Sequence, residues 1–291
     1  MRTFTLLAGL VLGAPGLSAA DVKDTVTPPV EKFLAERKNA GLVVGVRQNR
    51  TTSIFGFGTV YLPGGEQAPT GDTIFEIGSI TKGFTGILLA EAVRRGEVKL
   101  EAPARDYLPA DLVLPKSEET PITLGHLATH HSGLVVQPPL IGLTAKNPAN
   151  PYADYDRVKL AAMLPKLQLP KKPDEKYLYS NLGAGLVGHA LVHSAKADSY
   201  NDLLQARICK PLGLKNTTEA VSGAQRARFA RAHKADGTPT PHWDFATLEA
   251  CGGIRSSAHD MMAFASATLG ETKCELLPAI RDAFQAAQEV E

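Results

Sequence analysis

The chain has 291 residues, with 31 Lys and Arg against 30 Asp and Glu. This balance supplies no net field to gather nucleic acid or anionic lipid, which leaves a small molecule or a polymer end as the expected partner. A hydrophobic share of 44% is ample for a packed core, so an ordered fold is expected outside the ends, and the length suits one large domain or two interleaved ones.

In chain order, residues 1–20 read as a secretory signal peptide. Arg2 is the basic n-region, Phe4 to Leu12 the apolar stretch, and Ser18-Ala19-Ala20 a small-residue cleavage site. Pro15 interrupts a run already shorter than the ~20 residues of a membrane span, so no stable span is expected after cleavage. The expected location is the periplasm or cell envelope, with residues 21–291 as the mature domain. Pro28 and Pro29 open an amphipathic stretch, Val30 to Lys38, which predicts a helix ended by Asn39 and Gly41. Leu42 to Arg47 and Thr52 to Leu62 are rich in β-branched and aromatic residues and predict an antiparallel hairpin turning at Gln48 to Thr51. Ile80 to Arg95 has helical periodicity in Phe84, Ile87, Leu88 and Ala92, stopped by Gly96.

From Leu100 to Ile254 no long β pattern recurs, and Pro-rich loops such as Gln137 to Pro139 and Pro170 to Pro173 separate short helical stretches. This predicts a mostly helical subdomain at roughly residues 100–250, with one clear helix over Leu182 to Ser194. Two more helices are expected over Ser256 to Leu269 and Leu276 to Ala287. The fold class is α+β: an antiparallel sheet flanked by helices, with a helical subdomain inserted.

The chemistry gathers around Ser79-Ile80-Thr81-Lys82, where a loop from Phe75 to Gly78 runs into a helix. Residues three apart on a helix share a face, so Lys82 can reach Ser79 from one turn further in and accept or relay its hydroxyl proton. Gly83 and Gly86 leave that side open, and the helix N-terminus adds partial positive charge where an oxyanion would form. Alone, the tetrapeptide is a weak signal. A second motif, Tyr179-Ser180-Asn181, follows about a hundred residues later in a loop that enters a helix.

In that order, Ser-x-x-Lys then Tyr-x-Asn, the chain resembles the family of class C β-lactamases, penicillin-binding DD-carboxypeptidases and related esterases. The resemblance extends to FEIGSITKGF at 75–84, ITLGHLATHHSGL at 122–134, YLYSNLGAGLVGHAL at 177–191, CKPLGL at 209–214 and GGIRSSAHDMMAF at 252–264. It implies a β-lactamase/transpeptidase-like fold and an exported serine hydrolase with Ser79 as acylated nucleophile, Lys82 as its proton partner and Tyr179 as second base. A phenol titrates near 10 in water, so a basic Tyr179 calls for the Lys82 charge beside it. Asn181 would hold the substrate's amide carbonyl and orient Lys82, and Gln137 would touch an acylamide of the substrate. His130 and His131, in a His-x-Ser-Gly-Leu signature closer to the esterases and carboxypeptidases, are expected to shape the turn beside the site.

The implied substrates are a β-lactam, a D-Ala-D-Ala peptide of peptidoglycan or a small ester, with no cofactor and no metal. The resemblance also implies a third motif, Lys-Thr-Gly or His-x-Gly, on a strand whose backbone gives a second oxyanion donor. Nothing after Gly253 matches it, so the C-terminal strands of the sheet are expected to be missing. The alternative is a truncated or non-catalytic remnant that binds cell-wall peptide without turnover.

Other signals are set aside. Gly183 to Gly188 fits G-x-G-x-x-G but follows no apolar strand, so close helix packing explains its glycines better. His189 and His193 stand at zinc spacing without the accompanying Glu, because Ala190 fills its place. Lys171 to Lys176 mixes both charges as a solvated loop. Cys209, Cys251 and Cys274 allow at most one internal disulfide and lack metal-ligand spacing.

Overall fold

Ser18 caps the first helix of the computed structural model, which describes residues 18–37, 40–117, 120–139, 141 and 145–288. Helix α1, Ala19–Ala35, starts from a reciprocal capping box between Ser18 and Asp21 and carries Pro28 and Pro29 in its interior. The expected helix at Val30 to Lys38 is thus the second half of a longer one, and Lys38 itself lies outside the described residues. The two prolines do not open the helix because the box upstream already has. Thr25 and Thr27 in the preceding turn donate their hydroxyls to the Asp21 and Lys23 carbonyls. The residues read as a cleavage site fall at this cap and first turn.

Strands β1, Gly41–Gln48, and β2, Thr51–Gly58, form the expected hairpin, in register from Gly41 opposite Gly58 to Gln48 opposite Thr51. Its two-residue turn, Asn49-Arg50, has φ of 48° and 61°, the mirror-type geometry that matches strand twist. The expected strand Thr52 to Leu62 is divided at Gly58, where φ is 64° and an added Cβ would lie 2.2 Å from the Ala40 carbonyl oxygen. Beyond it, β3, Val60–Leu62, pairs with β4, Gly65–Gln67.

Strand β5, Ile74–Glu76, leads to the serine motif and pairs antiparallel with β6, Arg255–Ser257. Sequence reading places Ser256 at the start of a helix instead. The segment is a buried three-residue strand of Arg, Ser and Ser, too short and too polar to carry an alternating pattern, and Ser257 caps the helix that follows.

Helices supply most of the core. Phe84, Ile87 and Leu88 of α2, Thr81–Arg94, are buried in one cluster with Leu182 and Leu186 of α5, Asn181–Ala195, and Leu124 and Leu127 of α3, Leu124–Ala128. Helix α4, Arg157–Met163, and α6, Tyr200–Leu204, which runs on through a π-helical turn at Gln205–Cys209, complete the central region. Helix α7, Ala258–Thr268, stacks Phe264 on Phe84 at 4.1 Å, and α8, Leu277–Gln288, lies against α2 with Arg94 paired to Asp282 at 3.0 Å. No helix among the described residues is long and apolar enough to cross a membrane. All three cysteines are unpaired, and burial pushes the Cys209 and Cys251 thiols up to about 12.

The glycines of α5 are packing glycines. An added Cβ at Gly185 would meet Leu248 Cδ2 at 2.4 Å, and one at Gly188 would meet Ala250 Cβ at 2.3 Å. His189 donates from Nε2 to the Thr247 carbonyl at 2.8 Å, and His193 from Nδ1 to the Tyr107 carbonyl at 3.1 Å. Lys171 and Glu175 form an exposed ion pair at 2.8 Å. An added Cβ at Gly86, by contrast, meets nothing within 4 Å. Gly188→Ala should therefore cost about 1–3 kcal/mol, because its obstacle is a stiff Cβ rather than a movable side-chain end. Gly86→Ala should gain about 0.5–1 kcal/mol. Urea unfolding midpoints of the two variants, moving in opposite directions, are the check.

Candidate active site

Ser79 sits in a 3₁₀ turn, Gly78–Ile80, between β5 and α2, half a turn before the position the sequence suggests. Gly78 makes this possible with φ of 52°. The turn is pinned from behind: Ile77 N–H donates to the Ile254 carbonyl at 3.1 Å, and Ile254 N–H donates to Thr81 Oγ1 at 3.2 Å. Ser79 is exposed, while Thr81 beside it is fully buried.

Lys82 lies in the first turn of α2 and is half-buried. Its Nζ donates to Ser79 Oγ at 3.2 Å, to Asn181 Oδ1 at 2.8 Å and to the Cys251 carbonyl at 2.6 Å. An ammonium has three N–H groups, and here each has an acceptor. The same nitrogen lies 4.8 Å from the centre of the Tyr179 ring, over its face.

Tyr179 approaches from the opposite wall, with Oη 2.7 Å from Ser79 Oγ. Its segment is held on both sides by the loop at 130–136. Leu178 N–H donates to the His130 carbonyl at 2.7 Å, Ser180 Oγ to the Val135 carbonyl at 2.7 Å, and Asn181 N–H to the Val136 carbonyl at 2.7 Å. Ser180, fully buried, also caps α5 by accepting from Gly183 N–H at 2.9 Å.

His130 does more than shape a turn. Its ring lies 4.6 Å from that of Tyr179, and its Nδ1 accepts the Ser180 N–H at 3.1 Å, with the backbone in a left-handed conformation at φ of 65°. Burial, then the Lys82 charge, then His131 push the His130 ring down to about 4. His131 contacts Tyr177 and bonds the Thr129 carbonyl, one shell further out.

All five residues singled out from the sequence fall in one hydrogen-bonded cluster. Ser79, Lys82, Tyr179 and Asn181 are linked directly. Gln137, exposed at the edge, joins them through Tyr152, whose Oη donates to Gln137 Oε1 at 3.3 Å and accepts from Asn181 Nδ2 at 3.5 Å. Sequence reasoning passed over Tyr152 and the Cys251 carbonyl. The first stands in a loop without periodicity, and a main-chain carbonyl leaves no trace in residue identity.

A helix-borne serine and lysine faced by a loop tyrosine set a hydroxyl beside a cation and a phenol, and the comparisons identify the family. The model of the Beta-lactamase family matches residues 27–289. A beta-lactamase of Pseudomonas fluorescens is 30% identical over 257 residues, covering 88% of this chain and 67% of that protein. The D-alanyl-D-alanine-carboxypeptidase/endopeptidase AmpH of Escherichia coli K12 is 32% identical over 200 residues, covering 69% of this chain and 50% of that one. Among solved structures, a class C beta lactamase from Rhodobacter sphaeroides superposes with a TM-score of 0.70 at 32% identity, over 90% of this chain and 69% of that one. The chain belongs to the beta-lactamase family and has its β-lactamase/transpeptidase-like fold; it spans half to about two thirds of the length of these curated relatives.

The His130 contact carries a pH dependence. An imidazole in the unfolded chain titrates near 6.5, whereas burial and then the Lys82 charge keep the folded His130 from protonating until about pH 4, and the neutral Nδ1 is the form that accepts the Ser180 N–H. The unfolded state binds that proton first, so stability is present above pH ~6.5 and is lost as pH falls toward 4. The melting temperature should decline across that window, and His130→Gln, although less stable at pH 7, should show a shallower decline.

Proposed function

We propose that the protein is an exported serine hydrolase that acylates itself on Ser79 and releases the acyl group to water, acting on a D-Ala-D-Ala peptide, a β-lactam or a small ester. The observation that carries this reading is the 2.7 Å contact of Ser79 Oγ with Tyr179 Oη, beside a lysine whose N–H groups are all engaged. With its donors engaged, Lys82 serves as a fixed cation, and Tyr179 is the group free to move a proton.

In the acylation step Tyr179, entering as the phenolate beside the Lys82 ammonium, takes the Ser79 proton as Oγ attacks the carbonyl carbon. The Lys82 ammonium, bonded to Oγ and lying over the phenol ring, offsets the negative charge at each stage. The tetrahedral oxyanion is met by the Ser79 backbone N–H at the α2 N-terminus. Tyr179 returns the proton to the leaving amine or alcohol, and the acyl ester on Ser79 remains. Water then attacks this ester with Tyr179 again as base, restoring the serine. Asn181, held by Lys82 and Tyr152, and Gln137 at the edge line the side where the substrate's acyl portion would lie.

The His-x-Ser-Gly-Leu signature and the similarity to a D-alanyl-D-alanine-carboxypeptidase/endopeptidase favour peptide or ester over β-lactam turnover. Export rests on the basic, apolar and small-residue pattern of residues 1–20.

Covalent labelling by a fluorescent penicillin or a fluorophosphonate should map to Ser79 and vanish in Ser79→Ala. Hydrolysis of a nitrophenyl ester should fall by at least about a thousandfold in that variant. Tyr179→Phe keeps the ring on Lys82 and His130 but should lose on the order of 10²–10⁴ in turnover. A folded protein that takes up neither label would leave a binding protein without turnover as the better account.

A further inference from the structure

We infer that Tyr152 is a positioning residue that fixes which end of the Gln137 side-chain amide faces the cleft. The inference rests on the serine hydrolase reading for its consequence, but its logic is the direction of four hydrogen-bonding groups in series.

Lys82 Nζ can only donate, so the atom of Asn181 that it meets at 2.8 Å must be the oxygen. The Asn181 amide is thereby oriented, and its Nδ2 faces Tyr152 Oη at 3.5 Å. The Tyr152 oxygen accepts there, and its single O–H is left to donate to Gln137 at 3.3 Å, which requires the Gln137 oxygen to face inward. Gln137 Nε2 is then the end left over. It has no protein partner among the described residues, and its side chain is exposed at the cleft edge. One cation beside the serine thus dictates, through Asn181 and Tyr152, that Gln137 turns its N–H donors outward rather than its carbonyl oxygen.

Tyr152 is built to keep that direction. It is 2% exposed, and its ring stacks on Phe245 at 4.6 Å and leans on Trp243 at 5.6 Å, so the hydroxyl cannot swing away. Burial raises its phenol far above the ordinary value, with the Cys251 thiol adding to the effect, so the oxygen keeps its proton and remains a donor. The Asn181 contact is long at 3.5 Å, as such bonds often are before a substrate draws the site together. This is the end that the acylamide contact implied for Gln137 by the resemblance would use, so a Tyr152 that holds it outward favours N-acylated substrates over plain acyl esters.

The test compares 4-nitrophenyl esters of N-acetylglycine and of butyric acid, which share a leaving group. Tyr152→Phe removes the hydroxyl and keeps the ring. The preference for the acetylglycine ester, as a ratio of kcat/KM values, should fall about five- to tenfold, with the loss mainly in KM. An unchanged ratio, or an equal loss on both esters, overturns the proposal. A readout independent of turnover is the side-chain amide signal of Gln137 in a ¹H–¹⁵N spectrum, identified by its disappearance in Gln137→Glu. That signal should shift in Tyr152→Phe, and its constancy overturns the proposal whatever the kinetics. Turnover that survives intact in Ser79→Ala would instead defeat the hydrolase reading and leave the spectroscopic result standing.

Discussion

The site depends on one ammonium group satisfying three oxygens from three parts of the chain. Lys82 Nζ holds the serine hydroxyl of its own helix, the Asn181 amide of the Tyr179 loop and the Cys251 carbonyl of the turn before β6. A half-buried charge is tolerated only when its hydrogen bonds are filled, so the three segments must arrive together or the lysine is left uncompensated. The turn that supplies the Cys251 carbonyl is fixed by further contacts to the same helix. Thr85 Oγ1 donates to the Ala250 carbonyl at 2.8 Å, Tyr200 reaches Thr85 at 2.8 Å, and Thr81 receives Ile254 N–H. Residues 81, 82 and 85 therefore read one continuous stretch, 250–254, along one face of α2.

That stretch reaches α2 only because α5 is thin where it passes. Gly185 and Gly188 let Leu248 and Ala250 sit against the α5 backbone, which brings the turn within reach of Lys82 and Thr85. Packing and the candidate site meet here: a methyl group added to α5 would push on the carbonyl that holds the lysine. The pattern that mimics a dinucleotide fingerprint is thus a spacing device between helices.

What the sequence could reveal follows from what each feature requires of residue identity. The hairpin and the long helices were legible because burial of one face forces a period, in Phe84, Ile87 and Leu88 for α2 and in the branched residues of β1 and β2. The serine and lysine were legible from helical spacing. Tyr179, a hundred residues away, was legible only by resemblance. Strand β6 escaped because three buried polar residues have no period, and α1 because its prolines outweighed the Ser18 box in a reading from composition. Tyr152 joins the site by tertiary packing on Phe245 and Trp243, which no local pattern encodes.

The balance of charge in the cleft gives the arrangement its direction. Among the described residues no carboxylate pairs with Lys82; its acceptors are neutral oxygens. The groups around it are held neutral as well: His130 is pushed down to about 4, Tyr152 keeps its proton through burial, and Cys251 is pushed up to about 12. Glu249, two residues from the Cys251 carbonyl, has a buried oxygen without a partner among the described residues, and burial pushes it up to about 7, so its negative charge is only partial near neutral pH. In the proposed reaction a cation with no carboxylate counter-ion among the described residues stays available to the Tyr179 phenolate and then to the tetrahedral oxyanion. An added carboxylate at Lys82 would stabilise the resting state and spend that advantage before the bond-making step.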